Sequence, residues 1–246
     1  MKIKPLNERR IIRIKNVNGC TNFGGFALNG DRLYTIKTKS SNDLSTISVY
    51  PNYNKTKRTN YIFHNSFGHG NSMTYFNNEL YVAPCGGYCG TVDVRNWNYK
   101  RLESDTFMSG ISHYTGTMFI TIAGAPAPGS KQFYLAIMNR VGDKMVCLKK
   151  WIINNPYVSK GYNISQGIGY RKSKKKIYFV LSHENLKSNV VLRYGLEKSD
   201  PDYLFKSKVV TGSDRLELED VDFDANDNIF MGSNEPNSMD GLYRVR

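Results

Sequence analysis

One motif recurs five times along the chain and restricts its fold more than any other feature. "GGFALNGDRLYTIKT" begins at Gly24, "NSMTYFNNELYVAP" at Asn71, "SGISHYTGTMFITIA" at Ser109, "QGIGYRKSKKKIYFVLS" at Gln166 and "EDVDFDANDNIFMGSNE" at Glu219. Each copy opens on small or polar residues, reaches an apolar one (Phe26, Met73, Ile111, Ile168, Val221) and passes a short turn. It then closes on an apolar pair: Leu33-Tyr34, Leu80-Tyr81, Met118-Phe119, Ile177-Tyr178 or Ile229-Phe230. Successive copies start 47, 38, 57 and 53 residues apart. A repeat of this length made of strands is the pattern of a propeller.

Further strand-like stretches separate the copies. "LSTISVYP" and "RTNYIFH" follow the first copy, and "KQFYLAIMN" and "KMVCLKKWII" follow the third. Only "DGLYRVR" follows the fifth, which therefore lacks an outer strand that residues 8–16 can supply. The expected architecture is all-β: one domain over residues 1–246, a five-bladed β-propeller with four antiparallel strands per blade. The N-terminal strand joins the last blade and closes the ring, which removes open sheet edges. Seventeen Tyr and twelve Phe agree, because aromatic side chains pack well on a pleated surface.

The formal net charge is +13, which favours an anionic partner over a neutral one. The run "RKSKKK" at 171–176 falls where a tight turn belongs and reads as an exposed hairpin tip. No basic helix and no Arg/aromatic RNA-binding pattern is present, so nucleic acid is not expected. No apolar run is long enough to cross a membrane, and the basic N-terminus lacks the apolar segment of a secretory signal. The expected protein is a monomer, secreted or on the cell surface without a recognisable signal peptide, with the cytoplasm as the alternative.

On a propeller, functional groups gather where chain enters the innermost strands and leaves the second ones, an analogy of fold alone. That rule selects His69, Asn71, Ser109, Gln166, His183, Glu184, Glu219, Asp220, Asn234 and Glu235 as ligand-binding candidates. Lys37, Cys85 and Pro126 fall in equivalent places. His69 lies between two glycines, which frees its backbone to turn tightly; the competing role is a hydrogen bond to a neighbouring blade. His183-Glu184 and Glu219-Asp220 are expected either to form one carboxylate–imidazole cluster or to pair with local cations such as Arg215. If the chain is an enzyme, Glu184, Glu219, Asp220 and Glu235 are its catalytic candidates.

Of the four cysteines, Cys85 and Cys89 lie in "CGGYC", where a loop disulfide is sterically allowed; Cys20 falls on the same expected face, and Cys147 reads as an inert buried thiol. Further Cys or His at zinc-ligand spacing are absent, so no cofactor is expected, although the carboxylates leave room for a divalent cation. No nucleophile elbow and no phosphate-binding loop is present. Tyr53, Tyr88, Trp97 and Tyr157 can stack on sugar rings if exposed and otherwise pack between blades.

At "GHGNSMTYFNNELYVAP", with "QGIGYRKSKKKIYFVLS", the chain resembles helveticin J-type proteins, the large heat-labile bacteriocins of lactic acid bacteria. The resemblance covers the repeats and implies a bacteriocin-like, cell-surface binding protein that recognises an anionic or carbohydrate polymer. By match it flags only His69 and Asn71. The alternative is a glycan-active or metal-dependent hydrolase built on the channel-mouth carboxylates and histidines.

Overall fold

The computed structural model describes residues 2–5, 8–127, 130–186, 188–206, 217–235 and 240–245. The strands run β1 (Lys2–Pro5), β2 (Glu8–Arg13), β3 (Asn22–Asn29), β4 (Arg32–Thr38), β5 (Leu44–Tyr50), β6 (Thr59–His64), β7 (Ser72–Phe76) and β8 (Glu79–Ala83). They continue as β9 (Gly86–Asp93), β10 (Tyr99–Met108), β11 (Gly110–Thr115), β12 (Met118–Ile122), β13 (Gln132–Val141) and β14 (Lys144–Asn154). The last are β15 (Tyr162–Arg171), β16 (Lys176–His183), β17 (Asn189–Gly195), β18 (Pro201–Lys206), β19 (Glu217–Phe223), β20 (Ile229–Asn234) and β21 (Gly241–Val245).

Local chemistry accounts for the hairpins. Asn77 and Asn78 both take positive φ, 49° and 64°, and join Phe76 to Glu79 by a two-residue turn whose twist matches the flanking strands. In β16, residues Ile177 to Ser182 are buried in succession, as a strand covered on both faces requires. In β14 the charged residues Lys144, Lys149 and Lys150 are exposed while Met145 and Ile153 are buried, the division expected of a strand with one solvated face.

The expected five-bladed propeller of separate four-stranded blades is corrected by the hydrogen bonding. Among the described residues the strands form four sheets, in the orders β1-β18-β17-β16-β15, β11-β12-β13-β14-β10-β9-β8-β7, β19-β20-β21-β2 and β3-β4-β5-β6. The eight-stranded sheet arises because β10 and β14 run parallel and pair at Glu103–Lys144 and Ser104–Met145. The first sheet gains a fifth strand because β1 adds parallel to β18. β2 pairs antiparallel with β21, with Arg10 opposite Tyr243.

Among the described residues, apolar side chains fill five clusters between neighbouring strand groups. One sets Ile120, Leu135 and Ile153 against Ile168, Phe179 and Leu192. Another places Ile12, Phe23, Phe26 and Leu33 beside Phe230 and Leu242. Each fully buried Phe, Leu or Ile stabilises the fold by about 1.5–3 kcal/mol relative to exposure. The strands β3, β7, β11, β15 and β19 pack on one another along a common axis through small residues. A Cβ on Gly24 would lie 1.9 Å from Gly70 O, and one on Gly25 would lie 2.6 Å from Met73 N. No side chain fits there.

Candidate active site

The starts of the innermost strands converge, and three carry register irregularities. β3 skips from Phe23 to Phe26 while β4 advances from Lys37 to Thr35. β15 skips from Ser165 to Ile168 against Leu181 to Phe179, and β19 passes from Leu218 to Asp220 against adjacent residues of β20. The extra residues are Gly24-Gly25, Gln166-Gly167 and Glu219. A bulge re-aims the side chain it carries, which is why Glu219 does not follow the alternation of its strand.

Glu219 is buried, and its carboxyl is held well above the ordinary range, first by desolvation and then by the charge of Glu217. Asn234 hydrogen-bonds it. Gln166 donates from Nε2 to Glu217 Oε1 at 3.3 Å and is also buried. The thiol of Cys85 is pushed up to about 11 by desolvation and by Glu219, although the residue as a whole is exposed. Lys37 and Asp240, both buried, form an ion pair, and Lys37 also bonds Asn16. Desolvation lowers the lysine and raises the aspartate. The result is a shielded group of acids around one carboxyl whose pKa burial raises.

Several expected site residues carry contacts that hold the scaffold. Asp220 accepts from Phe26 N at 3.3 Å, Met73 N at 3.1 Å, Val221 N at 3.0 Å and Ser72 Oγ at 3.0 Å, tying three innermost strands together. Burial raises its pKa while these donors pull the other way. Asn71 donates from Nδ2 to Ser109 O at 2.7 Å, and Ser109 N bonds Ile122 O at 3.0 Å. Glu235 pairs with Arg10 at 2.7 Å and accepts from Tyr243 OH at 2.7 Å and Ser233 Oγ at 2.5 Å. His69 is exposed; its backbone N–H reaches Pro84 O at 3.3 Å, and its carbonyl accepts from Thr38 Oγ1 at 3.2 Å.

The histidine–carboxylate cluster does not form. His183 accepts from Asn185 N at 3.1 Å and packs against Tyr162, while exposed Glu184 accepts from Asn163 Nδ2 at 3.3 Å. Neither residue contacts Glu219 or Asp220. Arg215 lies outside the described residues. Among the described residues no group of three His, Cys, Asp or Glu is placed to hold a metal ion. The four cysteines are free, and Cys89 lies buried within β9 instead of in a loop. Cys147 is half-buried in β14.

The aromatic candidates are engaged by neighbouring side chains or buried. Trp97 stacks on Tyr61 at 3.5 Å, Tyr53 leans on Phe230, Tyr88 lies under Arg101 and Tyr157 is buried. Glu217 and Asp240 escaped the motif reading. For Glu217 the signal was present in "ELEDVDF", where four acids fall in a strand whose residues Leu218 to Val221 are buried.

No family model and no curated protein matches the chain. Among solved structures it is similar to the Myxococcus xanthus glutaminyl cyclase, with 11% identity, a TM-score of 0.65, and coverage of 99% of this chain and 98% of that one. It is also similar to a luciferin-regenerating enzyme, with 10% identity, a TM-score of 0.55, and coverage of 98% and 95%. At these identities the likeness concerns the fold. Both neighbours are enzymes, and neither is a helveticin J-type protein. The expected bacteriocin-like protein binding a cell-surface polymer is corrected on that comparison.

Proposed function

We propose that the chain is an acid–base enzyme of the amide-cyclising class, acting on peptides that begin with glutamine. The observation that carries this reading is the bulged Glu219, a buried carboxyl whose pKa desolvation raises, placed where the innermost strands begin. The fold shared with a glutaminyl cyclase supports it.

Cyclisation joins the α-amino nitrogen of the substrate to its own side-chain amide carbon and expels ammonia. The departing nitrogen must gain a proton and the attacking one must lose a proton. A carboxyl with a raised pKa does both, giving its proton to the leaving group and accepting another from the amine. Asn234, bonded to Glu219, orients the carboxyl, and the amide of buried Gln166 offers polar contacts beside it.

The test is incubation with a glutamine-initiated peptide, followed by ammonia release and by the matching mass loss. Glu219→Gln is expected to slow conversion by about 10²–10⁴-fold, the usual worth of a general acid–base group. No conversion by the folded protein, or an unchanged rate in Glu219→Gln, overturns the reading.

A further inference from the structure

At the other end of the axis, where the innermost strands finish, lies a cavity of about 400 Å³. Its lining comes from β3, β7, β11, β15 and β19 or the turns that follow them. We propose that it binds a free amino acid with an apolar or aromatic side chain, the ammonium on Asp222 and the carboxylate on Lys172. The site is separate from Glu219 and does not depend on the cyclase reading.

The assignment follows from which charged groups retain bonding capacity. Asp227 is engaged by Arg171 Nε at 2.9 Å and Ser173 Oγ at 2.7 Å. Asp224 accepts from Asn226 N at 3.0 Å, and from Asn228 N and Nδ2 at 2.8 Å each. Asp222 takes one backbone donor per oxygen, Leu28 N at 3.0 Å and Phe223 N at 2.8 Å. A carboxylate offers about four acceptor positions, so two remain.

Lys172 is held by a histidine. His113 stacks on Phe76 at 4.0 Å and bonds Gly116 O through Nε2 at 3.0 Å. A carbonyl only accepts, so that nitrogen carries the proton and Nδ1 is the acceptor. Lys172 Nζ therefore donates to Nδ1, at 2.8 Å, and keeps two further N–H groups. Lys172 and Asp222 attract each other electrostatically, yet no ion pair joins them.

A ligand with one charge of each sign spans that gap. A simple anion would meet Asp222 and a simple cation would meet Lys172, so either alone is disfavoured. Tyr75, Tyr170 and Phe223 line the same cavity and offer apolar surface to a side chain. The volume falls in the range of small-molecule sites, about 300–1,000 Å³.

Calorimetry or ligand-observed NMR on the full chain tests this with L-phenylalanine, phenethylamine and 3-phenylpropionate. L-phenylalanine is expected to bind at millimolar concentration or better, and each single-charge analogue at least about tenfold more weakly, the loss of one charge-assisted contact. Lys172→Gln, on an exposed turn, is expected to weaken L-phenylalanine to the same degree, and Asp222→Asn likewise where that variant folds. Glu219→Gln is expected to leave binding unchanged, which separates the outcome from the cyclase reading. Absence of L-phenylalanine binding, equal binding of all three compounds, or indifference to Lys172→Gln overturns the proposal.

Discussion

The ammonium of Lys37 and the carboxylate of Asp240, both almost fully buried, bond each other between the end of β4 and the start of β21. The pair joins the first repeat to the last. Asp240 also accepts Glu235 N at 2.7 Å, and its own carbonyl accepts Ile14 N at 2.7 Å. One buried cation thus fixes the seam where the first and last repeats meet.

Removing one member strands the other charge in a dry site. Lys37→Met is expected to destabilise the protein by about 3–5 kcal/mol, as for other broken buried pairs. The double variant Lys37→Met/Asp240→Asn is expected to recover part of that loss. Denaturant unfolding of the three proteins measures both effects.

Gly167 tests the packing of the innermost strands. A Cβ there would sit 2.1 Å from Asp220 Oδ1 and 2.6 Å from Glu219 O. Gly167→Ala is expected to cost about 1–3 kcal/mol or more by forcing backbone apart, read as a lower thermal midpoint.

Asp222 sets a pH dependence. Desolvation raises its pKa from 3.8 to about 7. A raised carboxyl binds its proton more tightly in the folded state, so its contribution to stability is retained below about pH 4 and declines as the pH climbs to about 7. Lys172 opposes the shift, and Asp224 adds to it. Asp222→Asn is expected to flatten the stability profile in that window, as followed by urea unfolding at a series of pH values.

Cys85 is exposed as a residue, but its thiol is shifted to about 11. Near pH 8 it should carry about a hundredfold less thiolate than a free cysteine. Iodoacetamide is expected to label it far more slowly in the native protein than after unfolding, as measured by mass spectrometry.

Much of the strand layout was legible because it is written in local pattern. The Asn77-Asn78 turn, the small residues at Gly24, Gly110 and Gly167, and the apolar run of β16 each announce themselves within a few residues. The merging of two repeats was not legible. Nothing in "RLESDT" or "KMVCL" indicates that β10 and β14 will lie parallel, since the pairing joins residues 41 apart: Glu103 with Lys144, and Ser104 with Met145. The candidate site was half legible. Glu219 and Gln166 stood out by position, whereas Lys172 was masked by its lysine-rich turn, and Asp222 is distinguished only by neighbours on other strands.

The parallel contact between β10 and β14 also governs what the molecule offers to its own kind. Two strands that would each present bare amide and carbonyl groups to solvent instead occupy one another, and the Asp105 carboxylate takes up Cys147 N at 3.0 Å just beyond the paired residues. At those paired residues a second copy finds no free template onto which to add a strand. Loosening this contact would uncover edge groups at Glu103, Ser104, Lys144 and Met145 onto which another strand could add.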